Sequence, residues 1–138
     1  MTPRPILHSV ALIMGTIAAG LAVRLVPLGL PPFVVKYAGS MLWALMIYWI
    51  ASTLLPSSCL LNVAFIAGAL ATAVECFKLY HSPGMDAFRL TLPGILLLGR
   101  YFSVRDIVAY WIAICAGAIL DSRLRYGGVA GGAAASAQ

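Results

Sequence analysis

Between positions 75 and 110 lie three carboxylates, Glu75, Asp86 and Asp106, together with Arg89 and the tyrosines Tyr80 and Tyr110. Carboxylates beside a guanidinium suit acid–base work, cation binding, or capture of a phosphorylated lipid head group. The spacing places Glu75 and Lys78 three residues apart on one helical face, and Asp86 and Arg89 likewise, while Tyr110 follows Asp106 by one turn. A local Glu75–Lys78 pair at the membrane interface and a helix cap by Asp106 are the plainer uses of these residues. His8 and His81 are far apart, and there is no HxxxH, CxxC or ExxH pairing and no nucleophile motif. The expectation is therefore a ligand-binding polar cluster of Glu75, Tyr80, Asp86, Arg89, Asp106 and Tyr110, with no catalytic residue, no metal and no cofactor.

The elements that must position this cluster are membrane helices. Of 138 residues 62% are hydrophobic and 9% charged, with a mean hydropathy of +0.99, well outside the soluble range. Apolar runs at about 6–23, 37–55, 59–77 and 104–120 approach or reach the roughly 20 residues a bilayer core requires. The first is read as a span rather than a signal peptide, since no A-x-A cleavage site follows it. The fold class expected is an all-α integral membrane protein of four transmembrane helices plus a short re-entrant or interfacial helix. That short element is "LTLPGILLLG", bounded by Pro93, Gly94 and Gly99, with a fifth span as the alternative. "RLVPLGLPPFVVK" holds three prolines and cannot be helical throughout. Residues 1–126 form a single helical transmembrane domain, and 127–138 a flexible small-residue tail.

Ala64, Gly68 and Thr72 in the third span, and Ala109, Ala113 and Gly117 in the fourth, recur every four residues and predict close packing of those two helices. Trp43, Tyr48, Trp49, Tyr101, Tyr110 and Trp111 fit an aromatic belt, and Cys59, Cys76 and Cys115 fit packed thiols. The nine Lys and Arg stand singly at the ends of apolar runs, which excludes a nucleic-acid stripe and marks membrane anchors. Four spans put Arg24, Lys36, Lys78, Arg89, Arg100 and Arg105 on one side, cytoplasmic by the positive-inside count.

The pattern E-x-x-x-L-Y-H-x-P-x-x-D-A-x-R-x-T-x-x-G-x-L-L-L-G-x-x-F-S-x-x-D-I-x-A-Y, Glu75 to Tyr110, with "GLPPFVVKYAGSMLWALMIYWI" upstream, resembles a bacterial integral-membrane family known as domain of unknown function 2809. The resemblance runs from about 29 to 117 and picks out Glu75, Tyr80, Pro83, Asp86, Arg89, Thr91, Gly99, Phe102, Asp106 and Tyr110. Phe77 and Lys78 stand where that family often has a glutamine, and Gly84 where it has an aromatic. A more distant likeness to VanZ-like proteins rests on a glutamate ending one span, a later arginine, and an aspartate opening the last span. Together these imply a multi-pass protein of the bacterial cytoplasmic (inner) membrane with membrane lipids as partners and a role in the cell envelope. Three functions of different kinds are expected to compete. The first is a non-enzymatic protein whose polar pocket binds a lipid head group or envelope small molecule. The others are an accessory subunit of a larger membrane complex, and an ion or solute transporter acting as a homo-oligomer.

Overall fold

The computed structural model describes residues 4–99 and 101–135, with side chains through Arg125. Arg100 and residues 136–138 of the tail lie outside the described residues. Helices α1 (Ile6–Leu25), α2 (Pro32–Leu54) and α3 (Leu60–Phe77) are followed by two short helices, α4 (Pro83–Arg89) and α5 (Leu92–Leu97), and by α6 (Val104–Ala135). Four of them, α1, α2, α3 and the Val104–Arg125 part of α6, are long and apolar enough to cross a membrane. This is the all-α arrangement of four membrane-length helices with short helices between the last two. A fifth span is absent among the described residues, because six residues of α5 rise only about 9 Å.

Local chemistry sets the boundaries. α1 stops at Leu25 and α2 opens with Pro32 at its first position, where a missing N–H costs nothing. The hydroxyls of Ser82 and Thr91 accept N–H bonds from Met85 and Gly94 and so start α4 and α5. Gly99, with φ of 72°, closes α5 in the left-handed conformation that glycine adopts without penalty. The backbone of α6 stays helical to Ala135, through most of the small-residue tail.

α2 is the hub: it packs against α1, α3 and α6, and α6 also packs against α3. The core between α2, α3 and α6 is built from Ala44, Tyr48, Trp49, Val63, Ala67, Ala71, Ala113 and Ile114. α1 lies on α2 alone among the described helices, and its two buried residues are the hydroxyl-bearing Ser9 and Thr16. Its large apolar side chains, among them Ile6, Leu7, Val10 and Met14, face outward. Inward small or polar groups with outward aliphatics are what lipid as a solvent favours, since apolar burial between helices gains little there.

The small-residue ladders divide between two contacts. Gly68 lies under the Trp111 ring, with Thr72 accepting the indole N–H at 3.3 Å, so α3 and α6 approach closely there. Gly117 faces Leu45 and Tyr48 of α2 instead. The aromatic belt is smaller than expected: Tyr48, Trp49 and Tyr110 are buried, because each has a polar or charged group inside the bundle to meet. The three cysteines are exposed on the outer surface rather than packed, since small alanines and glycines already fill the helix contacts.

Candidate functional site

Glu75 sits fully buried in the last turn of α3. One carboxylate oxygen accepts the Ser103 backbone N–H at 2.8 Å; the other accepts the Tyr110 hydroxyl at 2.7 Å and the Lys78 ammonium. Both carboxylate oxygens are thereby engaged, and Glu75 ties the end of α3 to the start of α6. A carboxylate filled in this way is a latch rather than a free acid. The nitrogen of Lys78 nevertheless borders a cavity of about 250 Å³.

That cavity is where part of the sequence-derived cluster, Asp106 and Tyr110, borders open space. Arg24 at the end of α1, Lys36 and Ser40 at the start of α2, Lys78, and Asp106 and Tyr110 on α6 line it, and residues 95–99 of the α5 segment cover it. Asp106 is the third residue of α6, past the cap position, and its side chain turns into the cavity. Its Oδ1 is buried without a hydrogen-bond partner, and the nearest cation, the Lys36 ammonium, is 3.9 Å away. Arg24 reaches across the bare face of Gly39 to donate to the Leu96 carbonyl at 3.3 Å. Three cations thus face one open carboxylate, with Glu75 already paired behind them.

The cavity adjoins an apolar groove between α1 and α2, formed by Ile17, Gly20, Leu21, Leu42 and Met46. Arg24, Trp43, Leu96 and Leu97 border both spaces. Trp43 leans on Tyr110 with ring centroids 5.4 Å apart and forms part of the wall at the junction.

The remaining expected site residues lie apart from this cavity. Arg89 is buried and donates to the Phe77 carbonyl at 2.9 Å and to Asp86 at 3.2 Å. It therefore adds a second donor to a carbonyl at the end of α3 that also accepts the Tyr80 backbone N–H at 3.1 Å. Asp86 also contacts the exposed His81 ring at 3.1 Å, and the exposed Tyr80 stacks on Phe77. Asp86, Arg89 and Tyr80 thus fasten the α3–α4 turn, whereas Asp106 and Tyr110 line the cavity and Glu75 lies behind it, bonded to Tyr110.

A second buried polar cluster, roughly 22 Å away along α6 at the rise of a regular helix, has Asp121 at its centre. Tyr48 and Ser52 donate to Asp121 Oδ2 at 3.0 and 2.6 Å, and Arg125 Nε donates to Oδ1 at 2.9 Å. Arg4 Nε lies 3.2 Å from the same Oδ1, and its guanidinium sits 4.9 Å above the Trp49 ring centre. None of Asp121, Arg125, Arg4, Ser52 and Tyr48 is among the expected site residues, nor are Arg24, Lys36 and Ser40. The available signal was the one-turn spacing of Asp121 and Arg125 in the last span and of Tyr48 and Ser52 in the second.

A family model described as "Protein of unknown function (DUF2809)" matches residues 29–114, more than half of the chain. The chain belongs to this family. The DUF2809 segment contains Lys36, Ser40, Trp43, Glu75, Lys78, Asp106 and Tyr110, so most of the first cavity is built within it. Arg4, Asp121 and Arg125 lie outside the matched segment. No solved structure matches the chain.

Proposed function

We propose that this DUF2809 protein is a non-enzymatic membrane protein that holds a phosphate-bearing amphiphile, with its head group in the cavity and its apolar chain in the groove between α1 and α2. One observation carries the reading: a polar cavity and an apolar groove lie side by side and share Arg24, Trp43, Leu96 and Leu97 in their linings. Arg24, Lys36 and Lys78 supply cationic donors suited to a phosphate. The unpartnered Asp106 Oδ1 calls for a donor on the same head group, a hydroxyl or an ammonium. A lipid such as phosphatidylglycerol meets both requirements, whereas phosphatidylcholine offers no donor and no net charge.

The test is thermal unfolding of the purified protein in maltoside micelles with phosphatidylglycerol or phosphatidylcholine added at equal mole fraction. Phosphatidylglycerol raises the midpoint, phosphatidylcholine does not, and the gain shrinks in Lys36→Gln and Asp106→Asn. Equal shifts from the two lipids, or a full gain in both variants, would refute the reading.

A further inference from the structure

The Asp121 cluster carries one positive charge more than it neutralises. Asp121 is buried and filled: Oδ2 receives two hydroxyl protons, and Oδ1 faces the Nε atoms of Arg125 and Arg4. Arg125 is also served completely, by Asp121, the Pro56 carbonyl at 3.0 Å and Ser52 at 2.8 Å. Arg4 is not. Its NH2 donates to Ser52 Oγ at 2.9 Å, but Nε and NH1 are buried with no hydrogen-bond partner among the described residues, and the side chain is only 5% exposed. Burial lowers the affinity of this guanidinium for its proton more than the nearby Asp121 raises it.

Arg4 lines a cavity of about 400 Å³ together with Pro5, Ile6, Ser9, Ser52 and Arg125. Pro5 occupies the cap position of α1 and has no side-chain acceptor to offer, so the first turn of the 20-residue helix presents its N–H groups uncapped. A guanidinium whose NH1 has no partner among the described residues and a helix start with no side-chain cap among them border one cavity, and both favour a bound anion with several acceptor oxygens. Ile6, which lines the cavity, and Leu7 beside it expose their apolar side chains.

We infer that the cavity between the start of α1 and the ends of α2 and α6 is a second site, one that binds a phosphate group through Arg4. It lies at the opposite end of the bundle from the Asp106 cavity and does not depend on what that cavity holds.

The experiment uses the full chain in maltoside micelles, in the Lys36→Gln background so that the first cavity is weakened. Inorganic phosphate, with chloride at matched ionic strength as control, and phosphatidylglycerol are titrated separately against the unfolding midpoint. Phosphate-dependent stabilisation that Arg4→Gln weakens roughly ten-fold in apparent affinity supports the site. A gain from both probes assigns the site to phosphate from either source; a gain from the lipid alone assigns it to a lipid head group. Arg4 precedes α1, so the substitution leaves every helix intact; should Arg4→Gln still fail to fold, Arg4→Lys keeps the charge beside Asp121 and loses the fork, and must also bind more weakly. No gain from either probe, or a gain unchanged in the Arg4 variants, overturns the inference.

Discussion

Replacing Glu75 by glutamine changes one atom and removes one charge, which makes it a sharp probe of the latch between α3 and α6. The carboxylate serves three donors: the Ser103 N–H, the Tyr110 hydroxyl and the Lys78 ammonium. A glutamine has one acceptor oxygen. If that oxygen takes the Ser103 N–H, its amide N–H₂ points at the Lys78 ammonium; if it turns to Lys78, the amide confronts the Ser103 N–H. Either way a buried donor loses its partner, and Lys78, only 6% exposed, keeps an uncompensated charge. Breaking a buried pair in this way costs about 3–5 kcal/mol. Lys78 borders the cavity and regains some hydration from it, which puts the expected loss near the lower end, at about 3 kcal/mol. The assay is reversible unfolding in maltoside micelles by added dodecyl sulfate, followed by far-ultraviolet circular dichroism. Adding Lys78→Met removes the stranded cation, so the double variant recovers most of the loss and the cycle gives a coupling of about 2 kcal/mol or more. A loss below about 1 kcal/mol in Glu75→Gln, or one that Lys78→Met leaves unchanged, would show that Glu75 does not act as the latch.

Other perturbations follow from the same geometry. Asp121→Asn strands the buried guanidinium groups of Arg4 and Arg125 together and lowers stability by about 3–5 kcal/mol in the same titration, a larger loss than Arg4→Gln causes. Gly68→Leu drives a side chain into the Trp111 ring, since even a Cβ there would lie 2.4 Å from it; a cost of about 1–3 kcal/mol and a shift in tryptophan emission are expected. Arg89→Ala takes one of two partners from the Phe77 carbonyl and from Asp86, so hydrogen exchange accelerates across residues 78–91 while α6 stays protected. Lys36→Gln, at a side chain 54% exposed, changes stability by no more than about 0.5 kcal/mol yet reduces the gain from phosphatidylglycerol, which separates ligand binding from folding.

Hydropathy alone determined four spans, because the length of an apolar run and the thickness of a bilayer are both read along the chain. The short elements were legible for a similar reason: Ser82 and Thr91 open α4 and α5, and Gly99 closes the second, each through contacts within a few residues. Family membership was legible too, since an ordered pattern of residue types needs no knowledge of contacts. Which helix faces turn inward was not legible. The spans are nearly uniformly apolar around their circumference, so no polar stripe tells inside from outside, and small residues suit several partners equally well. Gly117 accordingly met α2 rather than α3, and Tyr48 and Trp49 turned inward rather than toward a membrane interface. The Asp121 cluster depends on pairings 69 to 73 residues apart in the chain, and the separation of Arg89 from Asp106 depends on how α4 folds back against the end of α3. The chain specifies its charges locally; only the packing of α1, α2 and α6 decides which of them are filled and which, like Arg4 and Asp106, are left facing a cavity.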